Sequence, residues 1–121
     1  KKAATVFLFV AGLCVASTSP GPSLPIKSGD YKFSHRFAEH PSLSSIRLNV
    51  RISGSHVTVE NPIASDPFPA GVLDEGTLMW HAATKQWIIG NEESDKFAED
   101  VGGCSEGPAV IDLVAKVYWT C

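Results

Sequence analysis

From Gly29 onward, apolar residues recur at every second position. Tyr31, Phe33, His35 and Phe37 alternate with Lys32, Ser34, Arg36 and Ala38. Ile46, Leu48, Val50 and Ile52 alternate with Arg47, Asn49, Arg51 and Ser53. Successive side chains of a strand point to opposite faces, so this period means strands with one dry face and one wet face. No stretch after the first sixteen residues sustains a 3.6-residue apolar period over ten positions, which excludes a helical fold.

The breaks in the pattern divide the chain. Ser53-Gly54-Ser55 reads as a tight turn, with Val57 and Val59 on the returning strand of a hairpin. Asn61-Pro62 ends that strand, and Pro67 and Pro69 mark residues 63–71 as a loop crossing one end of the sheet. Val72 to His81 is the next strand, with Gly76 as a bulge or bend. Ala82 to Lys85 turns the chain into Gln86-Trp87-Ile88-Ile89, a second hairpin. Residues 91–107 lose the alternation; a short helix from Ser94 to Asp100, capped by Ser94, is expected there. The last strand reads as one piece. Ile111, Leu113, Ala115, Val117, Trp119 and Cys121 share a face, and Asp112, Val114, Lys116 and Tyr118 lie on the other. About six strands in neighbour order predict an all-β fold, a small antiparallel meander forming a barrel or sandwich.

The N-terminal residues obey different rules. Lys1-Lys2 precede an apolar run from Ala3 to Ala16, the layout of a cleavable signal helix. The run is shorter than the roughly 20 residues of a membrane span. Lipidation at Cys14 fits less well, because Leu13 precedes it where a small residue is preferred. The expected organisation is a signal peptide at 1–16, a Pro/Ser-rich linker or extended arm at 17–28, and one β domain at 29–121. The protein is then secreted or periplasmic, with no stable membrane span after cleavage. Without Lys1 and Lys2, eight basic residues face thirteen acidic ones. That balance argues against nucleic acid and anionic membrane as partners.

Export also bears on the cysteines. Cys104 and Cys121 remain after cleavage, and paired cysteines in an oxidising compartment usually bridge. A Cys104–Cys121 disulfide is therefore expected.

Candidate chemistry is sparse. Gly103-Cys104-Ser105-Glu106-Gly107 matches the Gly-x-Ser-x-Gly nucleophile pattern, but Pro108 and a strand follow where a helix is needed, and no histidine lies downstream. His35, His40, His56 and His81 lack the spacing of a zinc motif. His35 stands out because it shares a face with Tyr31, Phe33 and Phe37; it could sit in a pocket mouth with Trp80, His81 or Asp74. Trp80 and Trp87 flank one turn, as core residues or as an aromatic lip for a sugar or apolar ligand. Asp74-Glu75 and Asp112 invite a carboxylate-hydrolase reading, whose pair separation no sequence supplies. The acidic run Glu92, Glu93, Asp95, Glu99 and Asp100 lacks calcium-loop spacing but suits contact with a basic partner.

Gly29-Asp30-Tyr31 resembles the Gly-x-Trp opening of lipocalin-like barrels, with Tyr in place of Trp. The resemblance covers three residues and implies a cup for a small apolar ligand. The chain is shorter than a lipocalin and has fewer expected strands. The leading expectation is a non-catalytic binding or inhibitor-type module without cofactor or metal, its partner an unknown protein or small ligand. Ligand contacts are expected from Tyr31, Phe33, His35, Trp80, His81 and Trp87. A lipocalin-like carrier and a metal-dependent or carboxylate hydrolase stand as alternatives. The carrier requires Tyr31, Phe33, His35 and Trp80 to line a cavity; the hydrolase requires its histidines or carboxylates to converge.

Overall fold

The computed structural model describes residues 21–40, 42–43, 45–102 and 107–121. These form seven strands: β1 (Gly29–Phe37), β2 (Arg47–Ser53), β3 (His56–Asn61), β4 (Gly71–His81), β5 (Gln86–Gly90), β6 (Ala109–Asp112) and β7 (Val117–Thr120). Each pairs antiparallel with the next, and β7 returns to β1 to close a barrel. The closing pair is parallel, running from Ser34 opposite Val117 to Phe37 opposite Thr120. Parity forces this. In an up-and-down meander all odd strands run the same way, so the first and the seventh meet pointing in one direction. Closure also removes the exposed outer edges that would otherwise invite pairing with another chain.

Parity sorts the connections as well. The links β2–β3 (Gly54-Ser55), β4–β5 (82–85) and β6–β7 (113–116) are short and share one end, the turn pole. The links β1–β2 (38–46), β3–β4 (62–70) and β5–β6 (91–108) are long and share the other, the loop pole. Each short turn places one residue in the left-handed region: Gly54 at φ 64°, Lys85 at 58° and Lys116 at 61°.

The alternating apolar face fills the barrel. Phe33, Leu48, Val50, Ile52, Val57 and Val59 are at most 2% exposed. Burying each such side chain contributes about 1.5–3 kcal/mol for the larger ones. Leu24 and Ile26 of the arm pack against the same core. The Ser28 hydroxyl accepts the Gly54 amide at 2.8 Å, and the Tyr31 hydroxyl donates to the Lys27 carbonyl at 2.7 Å. The described part of the arm is thus packed onto the turn pole rather than a free linker. A smaller apolar cluster of Met79, Ile88 and Val110 lies on the outer wall, with Val101 and Trp119 against it.

Three local expectations are corrected. The final strand is a hairpin. Asp112 Oδ1 accepts the amides of Val114 and Ala115 at 3.0 and 2.8 Å, which folds residues 113–116 into a turn and raises the count from six strands to seven. The turn also exchanges faces: Tyr118 goes inside, opposite Ile111, and Trp119 goes outside. The register slip on β4 is not at Gly76. Val59 faces Asp74 and Glu60 faces Val72, so Leu73 is the extra residue. Gly76 pairs regularly with Val57, and a Cβ there would stand 2.5 Å from the Gly90 carbonyl oxygen. The helix is a 3-10 helix at Glu93–Phe97, capped at Glu92 rather than Ser94.

Cys14 with the leader, and residues 103–106 of the Gly-x-Ser-x-Gly stretch with Cys104 and Ser105, lie outside the described residues. Among the described residues, no helix is long and apolar enough to cross a membrane.

Candidate functional site

Alternation along β4 points Leu78, Gly76 and Asp74 into the barrel. Asp74 is therefore an inward carboxyl where the apolar core gives way to the loop pole. Its Oδ2 accepts the Tyr118 hydroxyl at 3.0 Å, and its Oδ1 accepts the Glu75 amide at 2.9 Å. Burial pushes the Asp74 carboxyl above its ordinary value, while these two hydrogen bonds pull the other way. Burial, then the neighbouring Asp74 charge, push the Tyr118 phenol far above its own.

The β1–β7 seam sets His35 beside Tyr118, with ring centroids 6.2 Å apart. His35 Nε2 lies 2.7 Å from Thr120 Oγ1. Phe37 and Phe68 meet the imidazole edge-on at 4.5 and 4.6 Å. Phe68 arrives on the 62–70 loop, which Asn61 holds by donating its amide to the Pro69 carbonyl at 3.1 Å. This apolar surround lowers the His35 pKa by desolvation.

Beside this group a cavity of about 430 Å³ opens at the loop pole. Asp74, Tyr118 and Thr120 line it from the strands, and Asn91, Glu92 and Asp95 from the long β5–β6 connection. Asp95 Oδ2 accepts the amides of Asn91 and Glu92 at 2.7 and 3.0 Å, which holds this carboxyl below its ordinary value. Among the described residues the lining thus carries three carboxyl groups and no basic side chain. A concavity of similar volume lies on the outer wall at β1–β3. Its lining sets Lys32 and Arg51 against Asp30 and Glu60, with Arg51 paired to Asp30 at 2.9 Å, so its described residues offer no net charge to a ligand.

The six expected ligand contacts do not gather. Phe33 is 0% exposed in the filled core, so it lines no cavity. His35 belongs to the loop pole. Trp80 and Trp87 face each other near the turn pole at 5.4 Å, and Tyr31 is tied to the arm. His81 is buried on the outer face, bonded to Thr84 Oγ1 and the Ala98 carbonyl, each at 2.7 Å. His35 therefore keeps company with Asp74, through Tyr118, and not with Trp80 or His81. Asp74 and Asp112 stand at opposite poles, which separates the carboxylates of the hydrolase reading. Among the described residues, no three His, Cys, Asp or Glu side chains are placed to share a metal ion. Of the acidic run, Glu92 and Asp95 reach the cavity; Glu93 pairs with Lys96, and Glu99 and Asp100 are exposed.

Sequence reasoning missed Thr120 and the inward role of Asp74. The signal for Asp74 was present: it lies four residues before Leu78, on the same face of one strand.

No protein-family model, no curated protein and no solved structure matches the chain.

Proposed function

We propose that the protein is an exported, non-catalytic binding module that takes a cationic group of a protein partner into the acidic mouth at its loop pole. The observation that carries this reading is the convergence of Asp74, Glu92 and Asp95 on one cavity with no basic residue among the described residues of its lining. Charge of one sign in a recessed site favours encounter with the opposite sign and rejects like charge. The surrounding loops add apolar contact. Leu43 and Ile63 sit on two of the long connections and are 53% and 73% exposed, whereas Phe97, 81% exposed on the third, lies next to Ala98, whose carbonyl bonds His81 at the turn-pole end of β4. A charged recess with apolar side chains on the adjoining loops is the composition of a protein-docking surface.

The export part of the proposal comprises removal of residues 1–16 and a Cys104–Cys121 crosslink. It is supported by the basic-then-apolar leader and by Cys121, which carries no free thiol.

The test is an NMR titration of the domain with the peptides Gly-Arg-Gly, Gly-Lys-Gly and Gly-Glu-Gly. The cationic peptides are expected to shift the amides of Asn91, Glu92 and Asp95 saturably, less so as salt rises, and not in the Asp74→Asn, Asp95→Asn double variant. Equal response to Gly-Glu-Gly, or none to either cation, overturns the reading.

A further inference from the structure

We propose a second site, at the turn pole, that binds a single saccharide ring. The barrel wall parts there. The β5–β6 ladder consists of Ile88 opposite Val110 and Ile89 opposite Ala109. Continuing that register would set Trp87 opposite Ile111 and Gln86 opposite Asp112. Those four residues instead line a cleft of about 280 Å³.

All three tryptophans of the chain line this cleft. Trp80 and Trp87 reach it from the inner face of the wall, and Trp119 from the outer face. None of the three is fully buried. Trp80 and Trp87 meet at 67° between ring planes, an edge-to-face pair. An edge-to-face pair covers a face of only one of its two indoles, and Gly21 of the arm packs directly on Trp80, so the partly exposed Trp87 and Trp119 supply the stacking surface.

The polar groups are few and placed at the rim. Lys85 and Gln86 are exposed there. Asp112 gives its Oδ1 to the β6–β7 turn, and its Oδ2 has no hydrogen bond among the described residues. Flat apolar faces beside an amide, an ammonium and a carboxylate oxygen match the two aspects of a sugar: C–H faces that stack and hydroxyls that hydrogen-bond. A purely apolar ligand has no use for the carboxylate. The volume falls just below the common range for drug-sized ligands, roughly 300–1,000 Å³, which limits the occupant to one ring. The cleft lies at the opposite pole from the acidic mouth and shares no lining residue with it, so the two sites are separable.

The protein reports on this site by itself, since its whole tryptophan emission arises at the cleft. The experiment titrates the full chain with the methyl glycosides of glucose, galactose and N-acetylglucosamine. At least one is expected to shift the emission saturably, confirmed by saturation-transfer NMR. Trp87→Ala is expected to weaken that binding at least tenfold, and Gln86→Ala severalfold. If Trp87→Ala does not fold, the exposed Gln86 position decides. No saturable response to any of the three glycosides overturns the proposal. So does binding that Gln86→Ala leaves unchanged, or binding of indole by a protein that ignores all three sugars.

Discussion

Tyr118 on β7 and Asp74 on β4 meet inside the barrel, hydroxyl to Oδ2 at 3.0 Å, although 44 residues separate them in the chain. The bond crosses the interior between strands that are not neighbours in the sheet. Removing a partner from a desolvated acceptor costs more than the bond contributes, because the acceptor is left without solvent. Tyr118→Phe keeps the ring and deletes the donor. It should lower the unfolding free energy by about 1–2 kcal/mol at neutral pH. Urea unfolding checks this, and the loss should shrink at acidic pH as the carboxyl becomes protonated.

Asp74 bears an opposite liability. Its carboxyl is pushed above the ordinary range, chiefly by burial. The folded state then binds the proton more tightly than the unfolded chain. That contribution is fully present below the ordinary carboxyl value and is lost as pH rises through the folded one. Asp74→Asn removes the charge yet keeps a carbonyl oxygen for Tyr118. The variant should match or exceed the wild type in stability at neutral pH, while its response to Gly-Arg-Gly falls. Paired urea and NMR titrations show whether stability and binding move apart in this way.

His35 works in the other direction. Burial lowers its pKa, so the folded state favours the neutral ring. Its contribution is present above the ordinary histidine value of about 6.5 and is lost as pH falls through the folded value. The wild-type urea midpoint should decline as the pH drops below about 6. In His35→Leu that decline should be shallower, whatever the offset from losing the Thr120 contact. An equal slope in both proteins would remove the assignment.

Asp112 holds the last hairpin together through two amides. Asp112→Ala frees both and should cost about 1 kcal/mol, read as a lower thermal midpoint. Asn at the same position retains an acceptor oxygen and should recover most of the loss.

The proposed Cys104–Cys121 bridge would close a short loop, worth about 3 kcal/mol in the chain-entropy account. The oxidised protein should weigh two hydrogens less than the reduced one. Its melting temperature should fall by roughly 10 °C or more with reductant. An unchanged melt under verified reduction counts against a stabilising bridge.

The strands that alternate cleanly were legible in the sequence, because pairing with a buried face leaves a period-two trace. Phe33, His35, Leu48 and Val50 all lie where their alternation places them. The failure came where alternation ran on through a turn. From Ile111 to Cys121 no glycine or proline interrupts the pattern, and the only mark was Asp112, a residue equally at home on a wet strand face. Missing the turn put Tyr118 and Trp119 on the wrong sides and hid what each adds to the two proposed sites, although the Trp80–Trp87 pair and the acidic run were visible. His35 was visible as a polar group on a dry face; its partner Thr120 was not, since the pairing of first with last strand leaves no local trace. The bulge at Leu73 was likewise silent, because Val72 and Leu73 are both apolar.

An odd number of strands sends the chain into the barrel at one pole and out at the other. Gly29 enters beside the tryptophan cleft, and Thr120 leaves beside the acidic mouth. A surface that anchors the domain by its arm therefore displays the carboxylates and crowds the indoles. Anchoring it beyond Thr120 does the reverse. Immobilising the protein in these two orientations leaves a different pole open to solution each time.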